Sequence, residues 1–369
     1  WRKKHAWNQF WEEKLRKQIT VKVLNSYENK TAGRVSYGGR VHMKIENDLG
    51  RDDIRRLVLR LAIPSMLAQF INVLYSVVDR IYIGNIPVIG ETALAGVGVS
   101  GPIVTLISAF AYLVGLGGSP LMSIRMGEGQ DEKAKKILAN SFWMIVGLSA
   151  VLTLVLFVFK REILTRFGAS EEILPYAESY FTIYLLGTVF ALLSIGMNQF
   201  IICQGFARIG MISVALGAVT NIVLDPVFIF VFDMGVAGAA FATVLSQFAS
   251  AAFVLRFLRG NRVLLRLEFE CPQVKTVCKI ALMGLSPFLI IAFDNVLIIS
   301  LNTVIQMYGG AEADMLLTCT TIVQSFMLIV TMPLGGITSG TGAILGFNFG
   351  AGRPDRIRSA QKYITLLAV

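Results

Sequence analysis

From Arg56 onward the chain is a succession of apolar runs, each about as long as the 20 residues a helix needs to cross roughly 30 Å of hydrocarbon. That one feature excludes most folds. A water-soluble core is built from short apolar stripes alternating with polar faces and has no use for such runs. The spans fall at about 57–83, 93–122, 137–159, 175–203, 209–232, 236–258, 280–307 and 315–346, and a ninth opens near Ser359. Composition agrees: 54% of residues are hydrophobic and only 16% charged, against about a quarter charged in an ordinary soluble domain. The expectation is an all-α membrane protein.

The formal charge of +10 points first to nucleic acid, but its distribution removes that reading. Residues 1–42 hold ten Lys/Arg against three Asp/Glu, leaving a net +3 for everything after them. This basic leader begins at Trp1, has no apolar core of the signal-peptide kind, and stops resembling the rest at Met43. Translation from Met43 is therefore expected, with residues 1–42 outside the natural protein; a basic tail is the alternative. In the body, nineteen Lys/Arg fall in one set of alternate connecting segments and four in the other. Basic loops stay on the cytoplasmic side, so the N-terminus is expected in the cytoplasm of a multi-pass plasma-membrane protein.

Internal repetition organises the spans. A constant shift of 223 residues takes Pro64 to Pro287, Asn72 to Asn295, Asp79 to Asn302, Gly117 to Gly340, Gly127 to Gly350 and Gly129 to Gly352 without a gap. It also takes Lys133 and Lys135 to Arg356 and Arg358. Transporters are commonly built from duplicated helix bundles. The expected organisation is a six-helix N-lobe over 43–258, a linker over 259–277, and a partial C-lobe over 278–369 that stops within its third helix. A second lobe as long as the first would reach about residue 481, roughly 112 residues further.

A carboxylate within hydrocarbon costs about 3 kcal/mol or more, which makes each intramembrane acid a functional hypothesis. Three qualify: Asp79, Asp225 and Asp294. Asn221 and Asp225 share a helix face, and Pro226 has no N–H for the carbonyl of Ile222, so the segment offers hard oxygens for a proton or Na⁺. A proline kink satisfied by polar groups is the plainer reading. Asp79 beside Arg80 reads equally as an interfacial acid, and Asp294-Asn295 equally as interhelical polar glue. Asp233, Glu312 and Asp314 fall in loops and are expected to be solvated. Both histidines, His5 and His42, lie in the leader, and Cys203, Cys271, Cys278 and Cys319 form no CxxC pair. Neither a disulfide framework, a cofactor nor a metal site beyond Na⁺ is expected. The glycines of Gly115–Gly118 and Gly335-Gly336 follow no strand and precede no GK[ST], so close helix packing is their expected role.

These residues resemble the multidrug and toxic compound extrusion (MATE) transporters. The resemblance runs from about Met43 to the end and is carried by Leu61-Ala62-Ile63-Pro64, Val78-Asp79, Gly127-Glu128-Gly129-Gln130, Cys203-Gln204-Gly205, the run from Asn221 to Pro226, that from Gly235 to Ala240, and that from Gly346 to Ala351. It implies a bundle of two six-helix lobes, here about eight complete transmembrane helices and the start of a ninth. It further implies a secondary active antiporter, not an enzyme, that exports small organic cations or drugs against H⁺ or Na⁺ by alternating access. A monomer in the plasma membrane of a bacterium is expected, with the lipid bilayer and the cargo as partners and no nucleic acid. The family's N-lobe ion site falls on Asp79, Asn221, Asp225 and Thr243, its first-helix bend on Pro64; Pro226 is a second candidate hinge. A C-lobe Glu of some members has only Asp294 and Asn295 nearby. The rival reading is a lipid-linked precursor flippase of the same superfamily, whose phosphate cargo calls for basic residues within the spans. None is seen there. A membrane-embedded enzyme is disfavoured by the lack of His and paired Cys, a receptor-like bundle by the repeat.

Overall fold

A computed structural model describes residues 47–308, 310 and 313–368, except for several side chains between 302 and 329. The leader expected at 1–42 and the side chain of Asn302 lie outside the described residues. The described chain contains helices and connections and no strand. In order the helices are α1 (Ile54–Gly84), α2 (Gly90–Gly127), α3 (Asp131–Arg166), α4 (Leu174–Leu186), α5 (Thr188–Ile202), α6 (Ala207–Pro226), α7 (Gly235–Arg259), α8 (Val274–Tyr308), α9 (Ala313–Gly350) and α10 (Pro354–Ala368). By length and apolarity six of them can cross a membrane, or seven if α4 and α5 count as one broken span.

The helices of membrane length form because their apolar runs have nowhere else to satisfy their backbone, whereas α10 is amphipathic. Local signals set the ends. Asp53 caps α1 by accepting from the Arg56 backbone N–H at 3.2 Å. On α1, Leu57, Leu61, Ser65 and Ala68 are buried, while Ile63, Leu67, Phe70, Leu74, Val77 and Ile81 form an exposed apolar stripe at spacings of three and four. Such a stripe is unfavourable in water and natural against lipid or an apolar cargo. On α8, Ile290, Phe293 and Leu297 are exposed in the same way, and they stand 223 residues after Leu67, Phe70 and Leu74.

The span expected over 175–203 is instead two helices bent by 57° at Gly187. A Cβ at Gly187 would run into the Val244 side chain of α7, so the missing side chain lets α7 press into the corner. The span over 209–232 also changes character: after Pro226 the chain widens into a π-helical turn, Val227–Val231, where Phe232 N–H donates to the Val227 carbonyl at 2.9 Å. A proline cannot continue the i→i−4 ladder, and the wider turn absorbs the fault.

The helices cross reciprocally. α1 lies along α9, and α2 along α8. At the end carrying most of the basic residues, a Cβ on Gly127 would overlap the Phe347 carbonyl and press on the Ala351 backbone N. A Cβ on Gly350 would overlap the Ile124 carbonyl and press on the Glu128 backbone N. Shifted by 223, Ile124 becomes Phe347 and Glu128 becomes Ala351, so the two contacts are one contact seen twice. Gly117 meets Gly284 of α8, and Gly340 meets Leu61 of α1, a pair again related by the same shift. These glycines serve close packing.

Between α7 and α8, residues 260–273 carry no helix yet are tied down. Val263, Leu265 and Leu267 are buried in alternation with exposed neighbours, and the Leu265 N–H donates to Gln204 Oε1 at 2.8 Å.

Candidate functional site

Four helices supply one polar cluster. α6 presents Asn221 and Asp225 a turn apart on a single face, both fully buried. The Asn221 side-chain amide donates to Asp225 Oδ1 at 3.0 Å and to Thr243 Oγ1 of α7 at 3.5 Å. From α1, Asp79 brings its carboxyl within interaction range of Asp225. The fourth side chain comes from α4, where Tyr180 faces Asp79 and Thr243. The structure thus brings together Asp79, Asn221, Asp225 and Thr243.

The electrostatic balance of the cluster is one-sided. Asp79 Oδ1, Asn221 Oδ1 and Asp225 Oδ2 are buried oxygens without a hydrogen-bond partner, and Gln247 Oε1, a turn beyond Thr243, is another. A buried acceptor left unpaired costs about 1–3 kcal/mol, more when charged. Among the described residues Asp79 makes no ion pair, and Arg80 beside it is exposed, so the arrangement is not an interfacial Asp–Arg pair. No Lys or Arg is buried among the described residues. Two carboxyls and an amide, each with an oxygen short of a donor, beside the Thr243 hydroxyl, are suited to hold a proton or a hard monovalent cation. Among the described residues no group of three His, Cys, Asp or Glu could hold another metal.

Sequence reasoning passed over the tyrosines and Gln247. Tyr75 lies one turn before Asp79 and faces it, and Tyr184 stacks on Tyr180 with ring centroids 6.4 Å apart and faces Gln247. For two of them the signal was available: Tyr75 and Gln247 each lie a helical turn from a residue of the cluster, on the same face of its span, whereas α4 carries no such residue to mark Tyr180 and Tyr184. A tyrosine in an apolar run carries a hydroxyl that must find a partner when buried.

Other candidates stand apart from the cluster. Pro64 is buried inside α1, which continues through it, and Pro226 closes α6 ahead of the π-helical turn. Asp294 is exposed on α8, and the Asn295 amide turns back to its own helix, donating to the Ile291 carbonyl at 2.8 Å. Asp233 is exposed between the π-helical turn and α7. Cys203 is buried, and Cys271, Cys278 and Cys319 are exposed; all four are free thiols.

Comparison with known proteins places this geometry. The family model MatE matches residues 64–227, the stretch that holds Asp79, Asn221 and Asp225. Multidrug export protein MepA of Staphylococcus aureus (strain N315) is 24% identical over 318 residues, covering 86% of this chain and 69% of that protein. Among solved structures, MATE in the straight conformation is 26% identical with a TM-score of 0.78, covering 87% of this chain and 71% of that one. MATE in the bent conformation, also 26% identical, has the same TM-score over 86% and 70%. In sequence over residues 64–227 and in fold over most of its length, the chain is thus similar to the MATE membrane transporters.

Proposed function

We propose that this protein is a secondary active antiporter that exports small organic cations, drugs among them, in exchange for H⁺ or Na⁺ by alternating access. It carries no enzymatic chemistry in this reading. The observation that supports it most is the cluster of Asp79, Asn221, Asp225 and Thr243, with three buried oxygens lacking donors. A charged carboxylate there is costly, and a bound proton or Na⁺ relieves that cost, so ion occupancy and the packing of α1 against α6 are linked. Pro64 on α1 and Pro226 on α6 are the hinges about which that packing changes, each interrupting its helix's hydrogen-bond ladder. An ion entering down a 100 mV potential supplies about 2.3 kcal/mol per charge, enough for a roughly fiftyfold gradient of neutral cargo at one-to-one exchange. For a monovalent cationic cargo the electrical terms cancel and the ion's concentration gradient drives the exchange.

The remainder of the reading follows from charge and repetition. The basic end faces the cytoplasm of a bacterial plasma membrane, the protein acts as a monomer, and residues 43–258 and 278–369 belong to an N-lobe and a C-lobe. Acids without buried bases attract cationic cargo by Coulomb's law in a low-dielectric interior, and the same balance weighs against the phosphate-bearing cargo of a flippase. Asp294 and Asn295 are a secondary ion or cargo anchor. The deciding experiment is efflux of a fluorescent cation from vesicles under separately imposed pH and Na⁺ gradients. Transport driven by one or both gradients is expected; transport indifferent to both would remove the proposal.

A further inference from the structure

The segment before α1 is clamped by residues some 300 positions away. Arg353 Nη1 donates to the Gly50 carbonyl at 2.6 Å. Arg356 donates through Nη2 to the carbonyls of Asp52 at 2.8 Å and Leu49 at 3.3 Å, and through Nε to Asn348 Oδ1 at 2.9 Å. Asn348 completes the grip, its amide donating to the Leu49 carbonyl at 3.1 Å. On the opposite side the Asn47 amide donates to the Gly205 carbonyl in the α5–α6 turn at 2.8 Å. Asn47, Leu49 and Gly50 are buried, so residues 47–50 form a wedge between the α5–α6 turn and the α9–α10 turn.

A counterpart sits 223 residues on. The segment before α8 is held by the start of α3: Lys135 Nζ lies 3.3 Å from a Glu268 carboxylate oxygen, and Asn140 Oδ1 accepts from the Gln273 N–H at 2.6 Å. Phe269 packs on Phe142 and Trp143 with centroids 5.1 and 6.3 Å apart. α3 begins at Asp131 and α10 at Pro354, the repeat distance apart, so in each half the third helix holds the approach to the first helix of the other half. The two straps differ in chemistry. The α3 strap is aromatic and ion-paired. In the α10 strap a guanidinium meets carbonyl and amide oxygens, and among the described residues Arg356 makes no ion pair. Bonds of that kind at a basic, water-facing end can be exchanged for water without separating opposite charges. Next to this strap the molecule is shut: Gly127 and Gly350 cross in contact, and Ser339 Oγ donates across the halves to Gln199 Oε1 at 2.7 Å.

We propose that Arg356, with Asn348 and Arg353, positions residues 47–52 as the plug of the cytoplasmic entrance, and that release of this strap, while the α3 strap stays closed, admits cargo from the cytoplasm. The inference rests on the alternating access and orientation proposed above. It makes Arg356 a positioning residue that touches neither ion nor cargo.

The test uses the full chain in vesicles with Cys203, Cys271, Cys278 and Cys319 replaced by Ser and Ser339→Cys as reporter, labelled by a membrane-impermeant maleimide applied to either face. Arg356→Ala is expected to speed labelling from the cytoplasmic face by about tenfold, a shift of the closed-to-open ratio of that size. Asn348→Ala should act in the same direction, and Arg356→Lys should restore slow labelling only in part, since an ammonium cannot span the three acceptors as the guanidinium fork does. Arg358→Ala, exposed on the same helix, should label at the parent rate. In efflux, Arg356→Ala should lower KM for cytoplasmic cargo and lower turnover together, a split that loss of protein alone does not produce. If Arg356→Ala does not insert, the labelling rate of Asn348→Ala decides in its place. Labelling at the parent rate in the variants that insert overturns the plug, whereas acceleration seen only from the outer face keeps the plug and overturns the orientation.

Discussion

Asp225 is the residue on which the proposed ion site turns, because it is fully buried, tied to Asn221 and faced by a second carboxyl, Asp79. Asp225→Asn keeps the shape and the hydrogen-bond reach but removes the charge that an ion would neutralise. Gradient-driven efflux should then fall by more than about tenfold, the equivalent of 1.4 kcal/mol. Asp79→Asn should do nearly the same while both variants insert and purify normally. Measuring efflux and insertion side by side separates loss of coupling from loss of fold, and full gradient-driven efflux by the double variant would move the coupling site to Asp294. Asp233 is the internal contrast. It is exposed and holds a left-handed backbone, φ 53°, which Asn adopts as readily as Asp, so Asp233→Asn should transport at the parent rate.

The helices are positioned by what their crossings leave out. At Gly127 and Gly350 the α2 and α9 backbones approach so closely that a single methyl meets a carbonyl oxygen, that of Phe347 or of Ile124. Gly127→Ala and Gly350→Ala should each cost about 1–3 kcal/mol of packing, the range for forcing volume into a filled contact, read as a lowered unfolding midpoint in detergent. Because the two contacts are related by the repeat, similar losses are expected; a large loss at one and none at the other would show the reciprocity to be superficial. Gly129, two residues after Gly127 and with nothing near its missing side chain, has φ 72° and tests backbone freedom instead of packing. Pro64 works through its absent N–H. Pro64→Ala restores a hydrogen bond inside α1 and should slow transport while leaving the protein as stable or more so, which efflux and unfolding measured together would reveal.

At the scale of the whole molecule, orientation is the property most open to a direct check, since the free thiols sit at known places. Cys271 lies exposed in the connection between α7 and α8 at the basic end, and Cys278 lies exposed in the first turns of α8. An impermeant thiol reagent should modify Cys271 in inside-out vesicles and spare it in right-side-out ones, with labelled peptides located by mass. The reverse pattern would place the basic end outside. The same end is where the two straps and the Gly127–Gly350 crossing gather, so topology and gating are read from one face.

How much of this was legible in the sequence depends on how far each feature reaches along the chain. Span lengths, the proline after Asp225 and the pairing of Asn221 with Asp225 are local: hydrocarbon thickness and a helical turn of 3.6 residues determine them, and both are written in consecutive residues. The 223-residue register needed only the chain compared with itself, and it carries the reciprocal glycine contacts. The bend at Gly187 was not legible, because glycine permits a bend without requiring one, and what places it is Val244 of another helix. Tyr180 joined the site only when α4 folded beside α1 and α6. The grip of Arg356 on the carbonyls of Leu49 and Asp52 was the least visible of all, for a backbone carbonyl bears no residue-specific mark and its partner lies some 300 residues away. The sequence by itself determined which segments enter the membrane and which faces carry oxygen. The tertiary structure alone decided which of those oxygens meet, because that depends on helix crossings governed by contacts distant in the chain.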